Sequence, residues 1–288
     1  MTTTGTLGTA QRLRIVHRTG YRYEELVGAS YNEARITPLT TPTQTALEAK
    51  VEISPVTWVH HYWDYWGTQV TAFEVLVPHQ ELTVVSTSTV ENVSTFDEAG
   101  GLTWGAIHTD DFRDAHVEFL VPTPASEAPQ EVVELARAVT AGLTPDEGAL
   151  AVCEAIRGEV EYRPGVTGVH TGAGEAWAAK KGVCQDFAHL SLGALRAVGI
   201  PARYVSGYLH PFPESEIGET HEGESHAWIE FFTGRWRAFD PTGLRPADAD
   251  HVIVARGRDY SDVSPLKGVY AGPSGSELFV SVEVTRLA

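Results

Sequence analysis

The chain has 288 residues, 42% of them hydrophobic, which is enough to bury a substantial core that at this size is expected to divide between two lobes. Its 38 acidic residues against 21 lysines and arginines give a net charge of -17, which argues against nucleic-acid binding and against attachment to anionic membranes. The two cysteines, Cys153 and Cys184, exclude a disulfide framework and permit one bridge at most.

The start, Met1-Thr2-Thr3-Thr4-Gly5-Thr6, lacks a charged region followed by an apolar run, and nowhere do 18 apolar residues follow one another. A cytoplasmic protein is therefore expected. Residues 12 to about 93 read as strands separated by turn residues: Leu13 to His17, Tyr31 to Ile36, Ala46 to Ile53, Trp58 to Trp66, Gln69 to Val77 and Leu82 to Val93. This is the pattern of a β-rich N-terminal domain. Its aromatics Trp58, Tyr62, Trp63, Tyr65 and Trp66 are read as packing against the second lobe, with a carbohydrate or peptide surface as the other reading. His60 and His61 are adjacent, so on a strand they point to opposite faces and do not share a metal.

A transition with Gly100-Gly101, Pro122, Pro124 and Pro129 follows, and the boundary falls near residue 125, dividing the chain into an N-terminal domain, 1–125, and a core domain, 126–288. Two helices come next. Val132, Leu135, Ala136 and Val139 form the stripe of the first, which Gly142 ends. The second opens at Thr144-Pro145-Asp146-Glu147, where Thr144 caps, Pro145 takes the first helical position and Glu147 completes a capping box. Cys153 lies on that helix's apolar face. Residues 163 to 176 read as a glycine-rich loop, taken as a cleft wall because no Lys-Ser/Thr follows it to cradle phosphate. Trp177 reads as a groove or a core residue.

Gly182 then lets the chain turn sharply into a helix of about fifteen residues that begins at Cys184 and carries Phe187, Ala188, Ser191, Leu195 and Val198 on one stripe. A cysteine at a helix N-terminus feels the partial positive charge of the unsatisfied N–H groups, which favours a nucleophilic thiolate. By itself such a cysteine also reads as a core residue. The stretch from His210 to Glu224 reads as a long loop with Glu214, Glu216, Glu219, Glu222 and Glu224, a lid candidate that would attract amines or cationic peptides if it lay over the cleft. Downstream, Ser225 to Phe232 and Trp236 to Asp240 alternate around Thr233-Gly234-Arg235, a β-hairpin. If Phe232 faces Trp236, His226 lies diagonal to Asp240 on one face, an imidazole beside a carboxylate, as a base and its orienting acid require. A slip of one residue would separate them. Ala255 to Tyr260 reads as a short polar stretch, and Glu277 to Leu287 as a final strand.

The segments Gly182-Val183-Cys184-Gln185-Asp186-Phe187-Ala188-His189, His226-Ala227-Trp228 and Phe239-Asp240-Pro241-Thr242 resemble those of the transglutaminase-like superfamily. The resemblance extends through Gly199 to Tyr208 and Ala255 to Tyr260, and the first hundred residues resemble the N-terminal region of the bacterial members. It implies an α+β fold, a papain-like cysteine core behind an N-terminal β-rich domain, in which Cys184 is the nucleophile, His226 the base and Asp240 the orienting acid. The implied chemistry is thiol-dependent acyl transfer on amide bonds of a protein or peptide substrate, by transamidation or hydrolysis. Animal transglutaminases usually carry Trp after the nucleophile where this chain has Gln185, and there is no room for their extra β-domains. Protein cross-linking and calcium activation therefore do not follow from the resemblance. The alternatives are a cysteine peptidase and a non-catalytic binding module that keeps the fold. No cofactor or metal site is expected, since Cys184, Asp186 and His189 diverge around a helix and make a poor zinc set. The oligomeric state is not legible.

Overall fold

A computed structural model describes residues 7–95, 101–212, 214–272 and 275–288; Met1 to Thr6 and Gly100, used above, lie outside the described residues. The strand-rich first part comprises β1 (Leu7–Val27), β2 (Ala29–Ala34), β3 (Gln44–Ser54), β4 (Val59–Trp63), β5 (Gln69–Val75) and β6 (His79–Thr95). Helices α1 (Trp104–Ile107), α2 (Asp110–Ala115), α3 (Gln130–Val139) and α4 (Pro145–Glu159) follow, then β7 (Glu161–Tyr162), α5 (Ala173–Ala179), β8 (Lys181–Gly182) and α6 (Cys184–Ala197). The chain continues through β9 (Ala202–Leu209), β10 (Thr220–Phe232), β11 (Trp236–Asp240), β12 (Arg245–Pro246), β13 (His251–Gly257), α7 (Tyr260–Val263), β14 (Leu266–Ala271) and β15 (Ser276–Arg286).

The main sheet runs β12-β11-β10-β15-β1-β6-β3, with β9 on β10 and β13 on β9. Strand β10 pairs with β15 through Thr220 to Gly223, with β9 through Glu224 to Phe231 and with β11 through Ile229 to Phe232. Backbone ladders thus join the N-terminal strands to the strand that carries His226. A second sheet, β14-β2-β5-β4, covers a smaller core of Tyr23, Val27, Ile36, Phe73, Val84 and Leu266. In the larger core, Leu13, Ile15 and Val90 from the N-terminal strands meet Phe187, Leu190, Leu192 and Leu195 of α6.

Helix α4 begins as its sequence requires: the Thr144 hydroxyl caps the Glu147 N–H while the Glu147 carboxylate accepts the Thr144 N–H at 2.9 Å. Helix α6 departs from expectation. The sequence predicts a one-sided stripe, but every residue from Gln185 to Arg196 is buried, because β10 and β9 pack on it together with α3, α4 and α5. Buried Arg196 is held by bonds: it donates to the carbonyls of Ala202 and Arg258 and to the Ser126 hydroxyl.

Other expectations need correction. The glycine-rich stretch ends earlier than read, because the alanine-rich segment 173–179 is helical, and Trp177 is a core residue whose indole N–H donates to Glu131 at 2.8 Å. The short helices α1 and α2, each capped by a threonine, occupy the transition before residue 125. Of the aromatics, Trp66 reaches across to Arg258 and also meets Phe119, Tyr65 bonds Glu118 within the first part, and Trp58 and Trp63 are exposed. The acidic loop is shorter than expected: β10 starts at Thr220, placing Glu222 and Glu224 on a strand, while Gly218 and Ser215 are tied to Arg286 of β15. The expected polar stretch at Ala255 is the end of β13, whose Val252 and Val254 are buried.

Candidate active site

Cys184 is the first residue of α6, with Val183 extended before it. The turn is made by Asp186, whose carboxylate reaches back to accept the Val183 N–H at 2.7 Å and the Thr167 hydroxyl at 2.6 Å. That carboxylate lies against Gly182, where an added Cβ would meet Asp186 Cβ at 2.6 Å, so glycine is required by close approach. Gln185 donates to the Val169 carbonyl at 3.2 Å, so the glycine-rich loop is pinned across the helix start, consistent with its reading as a cleft wall. Cys184 is partly exposed, whereas Cys153 is fully buried and its thiol is pushed up to about 12 by burial. The first N–H groups of a helix have no intrahelical partner, so those of Cys184 and Gln185, at the N-terminal end of α6, are free to act as hydrogen-bond donors.

The hairpin has the register that its sequence demands: Phe232 pairs with Trp236 and Ile229 with Phe239. His226 and Asp240 therefore meet, with His226 Nε2 to Asp240 Oδ2 at 2.8 Å and both side chains buried. The other carboxylate oxygen, Oδ1, accepts the Thr242 N–H at 2.8 Å and the Gly243 N–H at 3.3 Å. Cys184 is the second group that raises the His226 imidazole. With Nε2 on Asp240, the nitrogen left for the sulfur is Nδ1. Burial pulls the His226 imidazole down, but the bonds to Asp240 and Cys184 outweigh it and hold the proton up to about 10. Burial likewise works against ionisation of Asp240, and the bond from His226 together with the neighbouring His251 overcomes it, keeping that carboxyl far below its ordinary range.

His251 was not singled out from sequence, yet it flanks the pair. Its Nε2 lies 3.6 Å from Asp240 Oδ2, its Nδ1 lies 2.9 Å from Asp250 Oδ1, and Asp250 is paired with Arg245 at 2.6 Å. Its one signal in the sequence is a histidine at the head of the apolar run Val252 to Ala255. Tyr162 of β7, also unanticipated, is half-exposed, and its phenol is raised by burial and by the charges of Cys184, Glu224 and Asp240. His189 and Asp186 are engaged by other groups: Asp186 accepts the Val183 N–H at 2.7 Å, His189 Nε2 accepts the Tyr260 N–H at 3.2 Å, and burial lowers the His189 imidazole to about 4. Among the described residues, His226, Asp240 and His251 alone form a set of the type that binds metals, with ligand atoms within 4.8 Å of one another. Cavities of about 700 and 450 Å³ lie elsewhere, the first against Trp58 and Tyr31, the second against Trp104 and His108.

Residues 133–241 match the model of the transglutaminase-like superfamily, and residues 13–91 that of the bacterial transglutaminase-like N-terminal region. An uncharacterized protein of Mycobacterium leprae is 44% identical over 277 residues, 96% of this chain and 99% of that one. Another, of Mycobacterium tuberculosis, is 33% identical over 300 residues, 96% of this chain and 94% of that one. Among solved structures, a Cytophaga hutchinsonii protein provisionally named as a cysteine protease superposes with a TM-score of 0.78 over 98% of this chain and 93% of its own, at 23% identity, and so shares the fold. No helix among the described residues is long and apolar enough to cross a membrane. The chain belongs to the transglutaminase-like superfamily, with the bacterial N-terminal region preceding the core.

Proposed function

We propose that this protein is a cysteine acyltransferase or hydrolase acting on amide bonds of a protein or peptide, with Cys184 as nucleophile, His226 as acid and base, and Asp240 as the orienting carboxylate. The observation that carries the reading is the buried His226 ring, bonded at 2.8 Å to Asp240 and raised by a cysteine that starts a helix. The sulfur attacks the amide carbonyl carbon, and the oxygen takes the electron pair within reach of the Cys184 N–H. The carbon–nitrogen bond breaks as His226 passes its Nδ1 proton to the leaving nitrogen, and a thioester remains. Water or an amine then attacks the thioester, giving up a proton to His226, and the thiolate leaves. Asp240 fixes the ring through Nε2 throughout. The division at residue 125 belongs to this proposal, the first part serving as a scaffold for the core. A cytoplasmic location is also proposed, supported by two unpaired cysteines.

The test is a mass-spectrometric comparison of lysate proteins treated with the wild type and with Cys184→Ala. New chain ends indicate hydrolysis of peptide bonds, and glutamine–lysine links with loss of ammonia indicate transamidation. Identical peptide sets from both proteins would favour a binding module that keeps the fold.

A further inference from the structure

Resting on the reading of Cys184, His226 and Asp240 as the reacting groups, we infer that His251 is a positioning residue that holds Asp240 at the same carboxylate oxygen that His226 uses, anchored through Asp250 to Arg245. The geometry is a row of groups of alternating kind running inward from the surface. Arg245, about two-fifths exposed, holds Asp250 Oδ2 at 2.6 Å, and Asp250 Oδ1 holds His251 Nδ1 at 2.9 Å. His251 Nε2 then faces Asp240 Oδ2, the oxygen that binds His226. That nitrogen is buried and has no hydrogen-bond partner within ordinary distance, and a buried polar atom so placed is costly unless it serves the group it faces.

The surrounding fold is built to hold this ring. Trp228, fully buried, sets its indole edge against His251 with centroids 5.2 Å apart and lies parallel to His226 at 6.1 Å. Gly207 leaves room for that indole, since a Cβ there would come within 2.6 Å of Trp228 Cη2. From the N-terminal strands, Asn92 donates to the carbonyls of Ala249 and His251 at 2.9 and 3.0 Å, and Gln44 exchanges bonds with both backbone groups of Ile253. The first part of the chain thus fixes the backbone of β13 where His251 leaves it. The charged and titratable groups facing the row are His226 from β10, Asp240 from β11, Arg245 from β12, Asp248 and Asp250 before β13, and His210 after β9. Cys184, Tyr162 and Cys153 complete the set around His226 and Asp240.

Two effects of His251 have opposite signs, and this makes the idea testable. As a nearby cation it would weaken the hold of His226 on its proton; as a clamp that fixes Asp240 it strengthens that hold. The experiment measures the rate of Cys184 alkylation by iodoacetamide from pH 5 to 11, read on the Cys184 peptide. The wild type is expected to hold a plateau that ends where His226 loses its proton, near pH 10. In His251→Leu, which removes the polar group facing Asp240 at 3.6 Å, the end of that plateau should fall by about one pH unit. His251→Gln, which restores an N–H toward Asp240, should recover most of the shift. Arg245→Gln, at the partly exposed end of the row, should move it in the same direction by less. A merely structural His251 would lower the melting temperature and leave the plateau in place. A plateau unmoved in both His251→Leu and Arg245→Gln, or moved upward, overturns the clamp while leaving the reading of the three reacting groups intact. A wild-type profile without any plateau overturns both.

Discussion

Replacing Asp240 by asparagine isolates the charge that holds the His226 proton. In the folded protein His226 titrates at about 10 against an ordinary 6.5, a difference of 3.5 units worth about 5 kcal/mol at ~1.36 kcal/mol per unit. Burial opposes this, so the bonds to Asp240 and Cys184 must supply all of it and more. In Asp240→Asn the backbone N–H groups of Thr242 and Gly243 still require an acceptor, which turns the amide oxygen toward them and the NH2 toward His226 Nε2. A donor there drives the ring proton to Nδ1, the wrong tautomer for a base facing the thiol. The His226 titration should drop to below about 8, so that at pH 9 the protonated fraction falls roughly tenfold. The assay is an NMR titration of the 15N-labelled imidazole in both proteins. The linkage has a definite sign as well. A raised imidazole adds stability that is fully present below about 6.5 and is lost as the pH climbs through about 10, so the wild type should lose melting temperature across that window and the variant should not. An asparagine variant whose His226 still titrates near 10 would refute the assignment of the shift to Asp240.

Glu230, buried on β10, binds Arg203 at 2.5 Å and Arg256 at 2.9 Å, and Glu230→Ala should cost about 3–5 kcal/mol in thermal or urea unfolding; a loss under about 1 kcal/mol would mean that the two arginines find water instead. Gly182→Ala should push Asp186 off the Val183 N–H and slow alkylation of Cys184 more than it lowers the melting temperature, whereas an unchanged rate would show that this cap does not seat the sulfur. Glu224 stands two residues before His226, so Glu224→Gln should lower kcat/KM for a lysine-rich amide relative to a neutral one at low salt, and an equal effect on both substrates would remove its charge from substrate selection.

Much of the site was legible because short-range rules fix it. The turn Thr233-Gly234-Arg235 sets the hairpin register, and register alone brings His226 to Asp240; Gly182 and Asp186 build the entry to α6 within five residues. The strands of the first hundred residues were legible from turn punctuation. What was not legible depends on who covers whom. His251 reaches Asp240 only because β13 pairs with β9 and β9 with β10, an adjacency that no local pattern encodes. The same holds for α6, whose polar Asp186, His189 and Arg196 masked burial on all sides, and for the acidic stretch, where pairing with β15 converts the last third of an expected loop into strand. Trp58 stayed exposed although aromatics of its type usually find a partner.

The central claim is that Cys184 reacts because of His226. It is tested most directly by treating the protein with limiting iodoacetamide at pH 6.5 and measuring modification of the Cys184 and Cys153 peptides by mass spectrometry, in the wild type and in His226→Ala. Buried Cys153, its thiol pushed up to about 12, serves as the internal control for intact folding. The expected result is rapid labelling of Cys184 alone in the wild type, and in His226→Ala a rate at least tenfold lower with Cys153 still protected. Equal labelling rates of Cys184 in the two proteins would contradict the claim.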